Sequence, residues 1–143
     1  MTGTVTPQLD AYYAKHAALA KAKGFGFVLE TPTWRANKDW GAKVGYSEGE
    51  LIAVNRVCVG MMLDLRARFE TKDSPMPISG NIGPRGDGYR PGYRMPIKEA
   101  SAYHARQIQT FADSEADFVS AFTMNYIEEP IGIAHACELA GIP

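Results

Sequence analysis

The chain is 143 residues long with 45% hydrophobic and 22% charged side chains, which suits one soluble globular domain over residues 1–143 and excludes low-complexity disorder. Fifteen basic side chains nearly balance sixteen acidic ones and no stretch concentrates Lys or Arg, so a nucleic-acid partner is excluded and a small neutral or zwitterionic one is expected. No apolar run approaches the ~20 residues of a membrane span, and Met1–Pro7 lacks the basic and apolar regions of a signal peptide, so the expected address is cytoplasmic.

In chain order, Gln8 to Lys23 sets Leu9, Tyr12, Tyr13, His16, Leu19 and Ala20 at helical spacing, with Gly24 as its C-cap residue. Phe25 to Leu29 is a short apolar run, expected as a strand buried on both faces. Glu30 to Tyr46 reads as a polar loop. Ser47 and Glu50 form a capping box, and Leu51, Val54, Val57, Cys58, Met61, Met62 and Leu65 carry the helix it opens to about Phe69. Met76 to Ser79 opens a second strand. Pro96 to Glu115 is the third long helix, with Ala100, Tyr103, His104, Ile108 and Phe111 in one stripe. Ala116 to Phe122 is the third strand, and Ile127 to Ala140 the last helix, with Pro130 in its first turn where a missing N–H is harmless.

The run Ser79–Tyr89 spends four glycines and a proline on a charged loop. Glycine permits close backbone approach, and Asn81, Arg85 and Asp87 offer an amide, a guanidinium and a carboxylate, so the run reads as a binding loop. A helix followed by three strand-helix units demands parallel strands, and such sheets collect function at the carboxyl ends of their strands. Glu30–Tyr46, Asn81–Met95 and Thr123–Tyr126 are the loops at that edge, and the first two exceed the usual strand-to-helix connection. Cys58 and Cys137 lie on separate helices without CxxC spacing, so two buried, reduced thiols are expected. His104 reads as a core or boundary residue hydrogen-bonded to a neighbour, and no Ser-His-Asp or His-x-x-x-His arrangement occurs.

Three pieces in order, Glu30-Thr31-Pro32-Thr33-Trp34-Arg35-Ala36, Gly80-Asn81-Ile82-Gly83-Pro84 and Asp117 to Thr123 ahead of Glu128-Glu129, resemble the homocysteine S-methyltransferase family from about Leu9 to Pro143. The resemblance implies an eight-stranded (β/α) barrel of the TIM type. It also implies a zinc ion that activates the thiolate of homocysteine for attack on a methyl group of S-methylmethionine or a related donor. The expected partners are therefore a small-molecule thiol and a methyl donor.

The departures are specific. The family holds zinc with one late cysteine and an adjacent C-terminal pair, and Cys58 and Cys137 match none of them. A complete barrel takes roughly 250 residues, so the expectation is an α/β fold forming a partial TIM-type barrel of about three parallel β/α units plus a leading helix. The family's first strand and its zinc-binding half are expected to be missing, as in a fragment. Such a piece is expected to expose an apolar sheet face, and either to pair as a homo-oligomer or with a complementing chain, or to spread its helices over both faces.

The candidate substrate-binding residues are Glu30, Thr33, Arg35, Asn81, Gly83, Asp87 and Thr123. Glu30 suits an amine or a loop contact, and Arg35 a carboxylate or an ion pair with Glu30 or Asp39. Asn81 and Gly83 are expected at the barrel mouth. Asp87 either lines the site or pairs with Arg85 to hold the loop. Trp34 and Trp40 either wall a pocket or simply pack. By resemblance, Thr123 stands where many members carry a glutamate that binds the substrate amine. Two functions remain open: a methyltransferase completed by the absent zinc half, and a non-catalytic remnant or binding module that associates with a partner.

Overall fold

The computed structural model describes residues 6–90 and 92–143, so the reading of Met1–Val5 lies outside the described residues. Helix α1 spans Pro7–Lys23: the Thr6 hydroxyl accepts from the Leu9 N–H, and Gly24 closes the helix at φ +65°. Strand β1 is Leu29–Glu30, helix α2 Lys38–Lys43 and helix α3 Glu48–Phe69. Strand β2 is Ile78–Ile82, α4 Ile97–Ala112, β3 Phe118–Ala121 and α5 Glu128–Ala140. The Ser47–Glu50 capping box forms as expected, with both reciprocal bonds present.

The sheet is parallel with order β1-β2-β3. Leu29 pairs with Ile78 and Glu30 with Ser79; Ser79, Gly80, Asn81 and Ile82 pair with Phe118, Val119, Ser120 and Ala121. Beyond β3, the Val119 N–H donates to the Pro143 carbonyl at 2.8 Å, so the last residue lies alongside that strand.

One hydrophobic cluster joins Ala17 of α1, Met62 and Leu65 of α3, Ile108 and Phe111 of α4 and Ile133 of α5 to Leu29, Ile78 and Ile82 of the sheet. Because side chains alternate along a strand, these sheet residues share one face, and the helices cover that face together. Gly80 belongs to the same face: a Cβ there would lie 2.5 Å from the Phe111 ring, so the glycine lets α4 approach the sheet. The other face carries Glu30, Ser79, Asn81 and Ser120 together with Phe118, and the Ser79 hydroxyl donates to that of Ser120 at 2.8 Å. Val28 and Phe122, 41% and 45% exposed, lie at its ends.

Several expectations change. The apolar open face is instead polar along its centre, and the helices do not divide between two faces. The first strand is not buried on both sides: Phe25 is 66% exposed, and only Leu29 is wholly buried. Its ladder continues as separate bonds, Phe27 N–H to the Pro75 carbonyl and Thr31 N–H to that of Ser79. The loop Glu30–Tyr46 contains α2, started by the Asn37 side chain accepting from the Trp40 N–H. In α1 the expected stripe holds at Ala20, which is buried, and at Leu9 and Tyr13, which pack against the core, but Tyr12 and Leu19 face solvent and Ala17 is buried instead. Cys58 and Cys137 are free and only partly buried. No helix among the described residues is long and apolar enough to cross a membrane.

Candidate functional site

The loops after the three strands are tied together at one end of the sheet. Trp34 reaches from the β1 loop to the β3 loop, where its indole N–H donates to the Thr123 hydroxyl at 3.0 Å. On the way it crosses the glycine run: a Cβ on Gly83 would stand 2.3 Å from the Trp34 carbonyl oxygen, and one on Gly88 3.1 Å from the indole ring. These glycines are required by close approach of the tryptophan. Thr123 itself holds φ +59°, a left-handed conformation uncommon for a non-glycine residue. Asn125 donates to the Asp87 carbonyl, Asn37 to that of Pro84, and Trp40 to that of Gly86.

A hydroxyl relay fixes the β1 loop. Thr33 donates to the Asn81 carbonyl at 2.7 Å, so Thr31 must donate to Thr33, and Thr31 in turn accepts from the Asn81 N–H. Thr33 is fully buried and holds β1 to β2. Glu30 is half-buried on the open face. Burial pushes its carboxyl above the usual range, opposed by the Ser79 and Ser120 hydroxyls. Its Oε2 and the Asn81 Oδ1 are shielded from water without a hydrogen-bond partner.

Arg35 forms no ion pair with Glu30 or Asp39. Its guanidinium instead lies 4.7 Å from the Trp34 ring centroid and 4.1 Å from that of Trp40. Nor do Arg85 and Asp87 pair. Arg85 bonds Asp39 through Nε at 2.8 Å and Glu99 through Nη1 at 3.0 Å. Asp87 accepts from the backbone N–H groups of Tyr89 and Arg90, which together with Arg35 and Arg90 holds its carboxyl below the usual range. Asp87 thus shapes the loop from within.

Between these loops lies an open cavity of about 450 Å³, lined among others by Lys43, Arg85, Asp87, Arg90, Tyr126 and Glu129. Below it, Glu129 on α5 accepts from the His104 Nε2 on α4 at 2.9 Å and from the Arg85 N–H at 2.8 Å. His104 is therefore the hydrogen-bonded core residue expected. Its partner, from a helix 25 residues away, left no local signal in the sequence. The same holds for Asn37, which accepts from Tyr103 and ties α4 to the β1 loop. Of the predicted residues, Glu30 and Asn81 share the open face, Thr123 follows β3 at its edge, Asp87 lines the cavity, and Arg35 is exposed and lines a separate hollow with Trp40.

Among the described residues no group of three or more His, Cys, Asp or Glu side chains is placed to hold a metal ion. Cys58 lies on α3 and Cys137 on α5, and burial pushes the first thiol up to about 11 and the second above its ordinary value. Zinc needs the thiolate. These residues do not fit the zinc ion that the resemblance implies.

No curated protein matches this chain. Two solved structures share its fold, both of the homocysteine methyltransferase MmuM from Escherichia coli. The metallated form is 16% identical with a TM-score of 0.74, covering 97% of this chain and 54% of that one. The oxidized form gives 16%, 0.73, 96% and 52%. This chain spans about half the length of the solved structures it matches. A family model described as homocysteine S-methyltransferase matches residues 9–143. With nearly the whole chain inside that match, it belongs to the homocysteine S-methyltransferase family.

Proposed function

We propose that this chain carries the substrate-binding side of a homocysteine S-methyltransferase site, within a partial TIM-type barrel, and takes a small amino-acid thiol and a methyl donor. The observation that carries this reading is the closure of all three strand-end loops over one end of the sheet, tied by the Trp34–Thr123 bond. Glu30 and Asn81 present two shielded, unpartnered acceptor oxygens on the open face, which suits a substrate ammonium group. Thr33, Gly83 and Asp87 shape the loops, and Thr123 and Arg35 border the site. No step of methyl transfer is assigned to this chain, because its thiols are scattered and protonated.

The test is methyl transfer from S-methylmethionine to homocysteine by this chain alone and with a second chain supplying a cysteine-bearing C-terminal half of the family. No transfer by the chain alone, and transfer on mixing, is the expected result. Transfer by the chain alone with added zinc would sink the reading. The exposed Val28 and Phe122 favour a second reading, a non-catalytic module that docks on a partner. That reading gains if the two chains co-elute and remain inactive.

A further inference from the structure

The cavity between the glycine loop, α2 and α5 has an uneven division of charge. Its three carboxylates are all engaged: Asp39 by the Arg85 guanidinium, Asp87 by the backbone of Tyr89 and Arg90, and Glu129 by His104 and the Arg85 N–H. Arg85 is itself held by both Asp39 and Glu99. Lys43 and Arg90, both in its lining, form no ion pair with any carboxylate among the described residues. Lys43 lies 3.7 Å over the Trp40 ring centroid, which defines its position without supplying a carboxylate partner.

We propose that this cavity receives the carboxylate end of a small monoanionic ligand, with Lys43 and Arg90 as its charge partners. A monoanion fits better than a phosphate dianion because the lining already holds as many carboxylates as cations, and each further negative charge meets three fixed ones. The volume, about 450 Å³, lies within the range of small-molecule sites. The Tyr93 and Tyr126 side chains in the same lining supply aromatic surface for an uncharged remainder. Arg35 is outside this lining, and its guanidinium lies against the Trp34 and Trp40 rings, so the carboxylate role expected of it passes to Lys43 and Arg90. The inference rests on the methyltransferase reading only in taking the ligand to be an amino acid.

The experiment is a titration of the whole chain with L-methionine, L-methioninamide and propionate, followed by the NMR shifts of the Asn125 side-chain amide. Methionine and propionate are expected to shift it saturably, with the amide at least tenfold weaker. Lys43→Ala and Arg90→Ala, both at exposed positions, are expected to weaken methionine at least fivefold each while leaving methioninamide unchanged. Saturable binding of propionate without methionine would support the cavity and count against an amino acid as its ligand. Equal affinity for methionine and its amide, unchanged affinity in both variants, or no carboxylate binding at all would overturn the proposal. The methyl-transfer assay above reads the methyltransferase reading independently of these outcomes.

Discussion

Glu129 and His104 form the one ion-pair geometry among the described residues in which both side chains are buried, at 1% and 0% exposure. Burial pushes the Glu129 carboxyl up, but the bonds from His104, the Arg85 N–H and Tyr126 outweigh it and hold the carboxyl below its ordinary range. A carboxylate whose folded value is lowered adds stability above its unfolded value and loses it as pH falls through the folded one. Glu129→Ala is therefore expected to cost about 3 kcal/mol at neutral pH, because it strands a buried partner. Urea denaturation from neutral to acid pH should show that difference narrowing in acid. Glu30 has the opposite sign. Its folded value is raised, chiefly by burial, so the folded state favours the protonated form and loses stability as pH rises through that value. Glu30→Gln is expected to raise the melting temperature at neutral pH and leave it unchanged in strong acid. A lower melting temperature at neutral pH would contradict the burial of this carboxylate.

At the scale of elements, the decisive contact is Trp34 against the glycine run. An alanine at Gly83 would bring Cβ to 2.3 Å from the Trp34 carbonyl oxygen, and backbone cannot swing aside as a flexible side chain does. Gly83→Ala is expected to destabilise the fold by about 2 kcal/mol, whereas Gly86→Ala, with nothing within 4 Å of the added Cβ, should be close to neutral. Comparison of the two by thermal unfolding checks that the glycines of this loop serve different purposes. The glycine run was legible as a shaped loop because glycine is costly in backbone entropy. That Gly83 and Gly88 make way for a tryptophan 49 and 54 residues earlier was not legible, since close approach depends on how two loops meet. Helices α3 and α4 were read correctly from capping and periodicity, and α4 buries every residue of the stripe expected of it. In helix α1, Leu9, Tyr13 and Ala20 of the expected stripe meet the core while Tyr12 and Leu19 do not, because packing selected the small Ala17 for contact with its neighbours.

For the whole molecule, one face of a three-stranded parallel sheet is covered and the other is polar along its centre. The family's zinc chemistry has no ligand set among the described residues, and both thiols are raised by burial. Equilibrium dialysis at neutral pH is accordingly expected to show less than one tightly bound zinc per chain, and a tight stoichiometric ion would refute the metal-free reading. The short α2 was not legible in Glu30–Tyr46, but the order of the three strands and four long helices, the parallel topology, the family and the edge at which the loops collect were already encoded in the amino-acid sequence. These follow from periodicity, capping and motif order, which are properties of neighbouring residues. What depended on the folded chain is that Arg35 lies against Trp34 and Trp40, that Arg85 answers Asp39 and Glu99 in place of Asp87, and that Lys43 and Arg90 form no ion pair. Those outcomes depend on which of several equally suitable partners the folded chain brings within a few ångströms, and Coulomb and hydrogen-bond energies are settled at that distance.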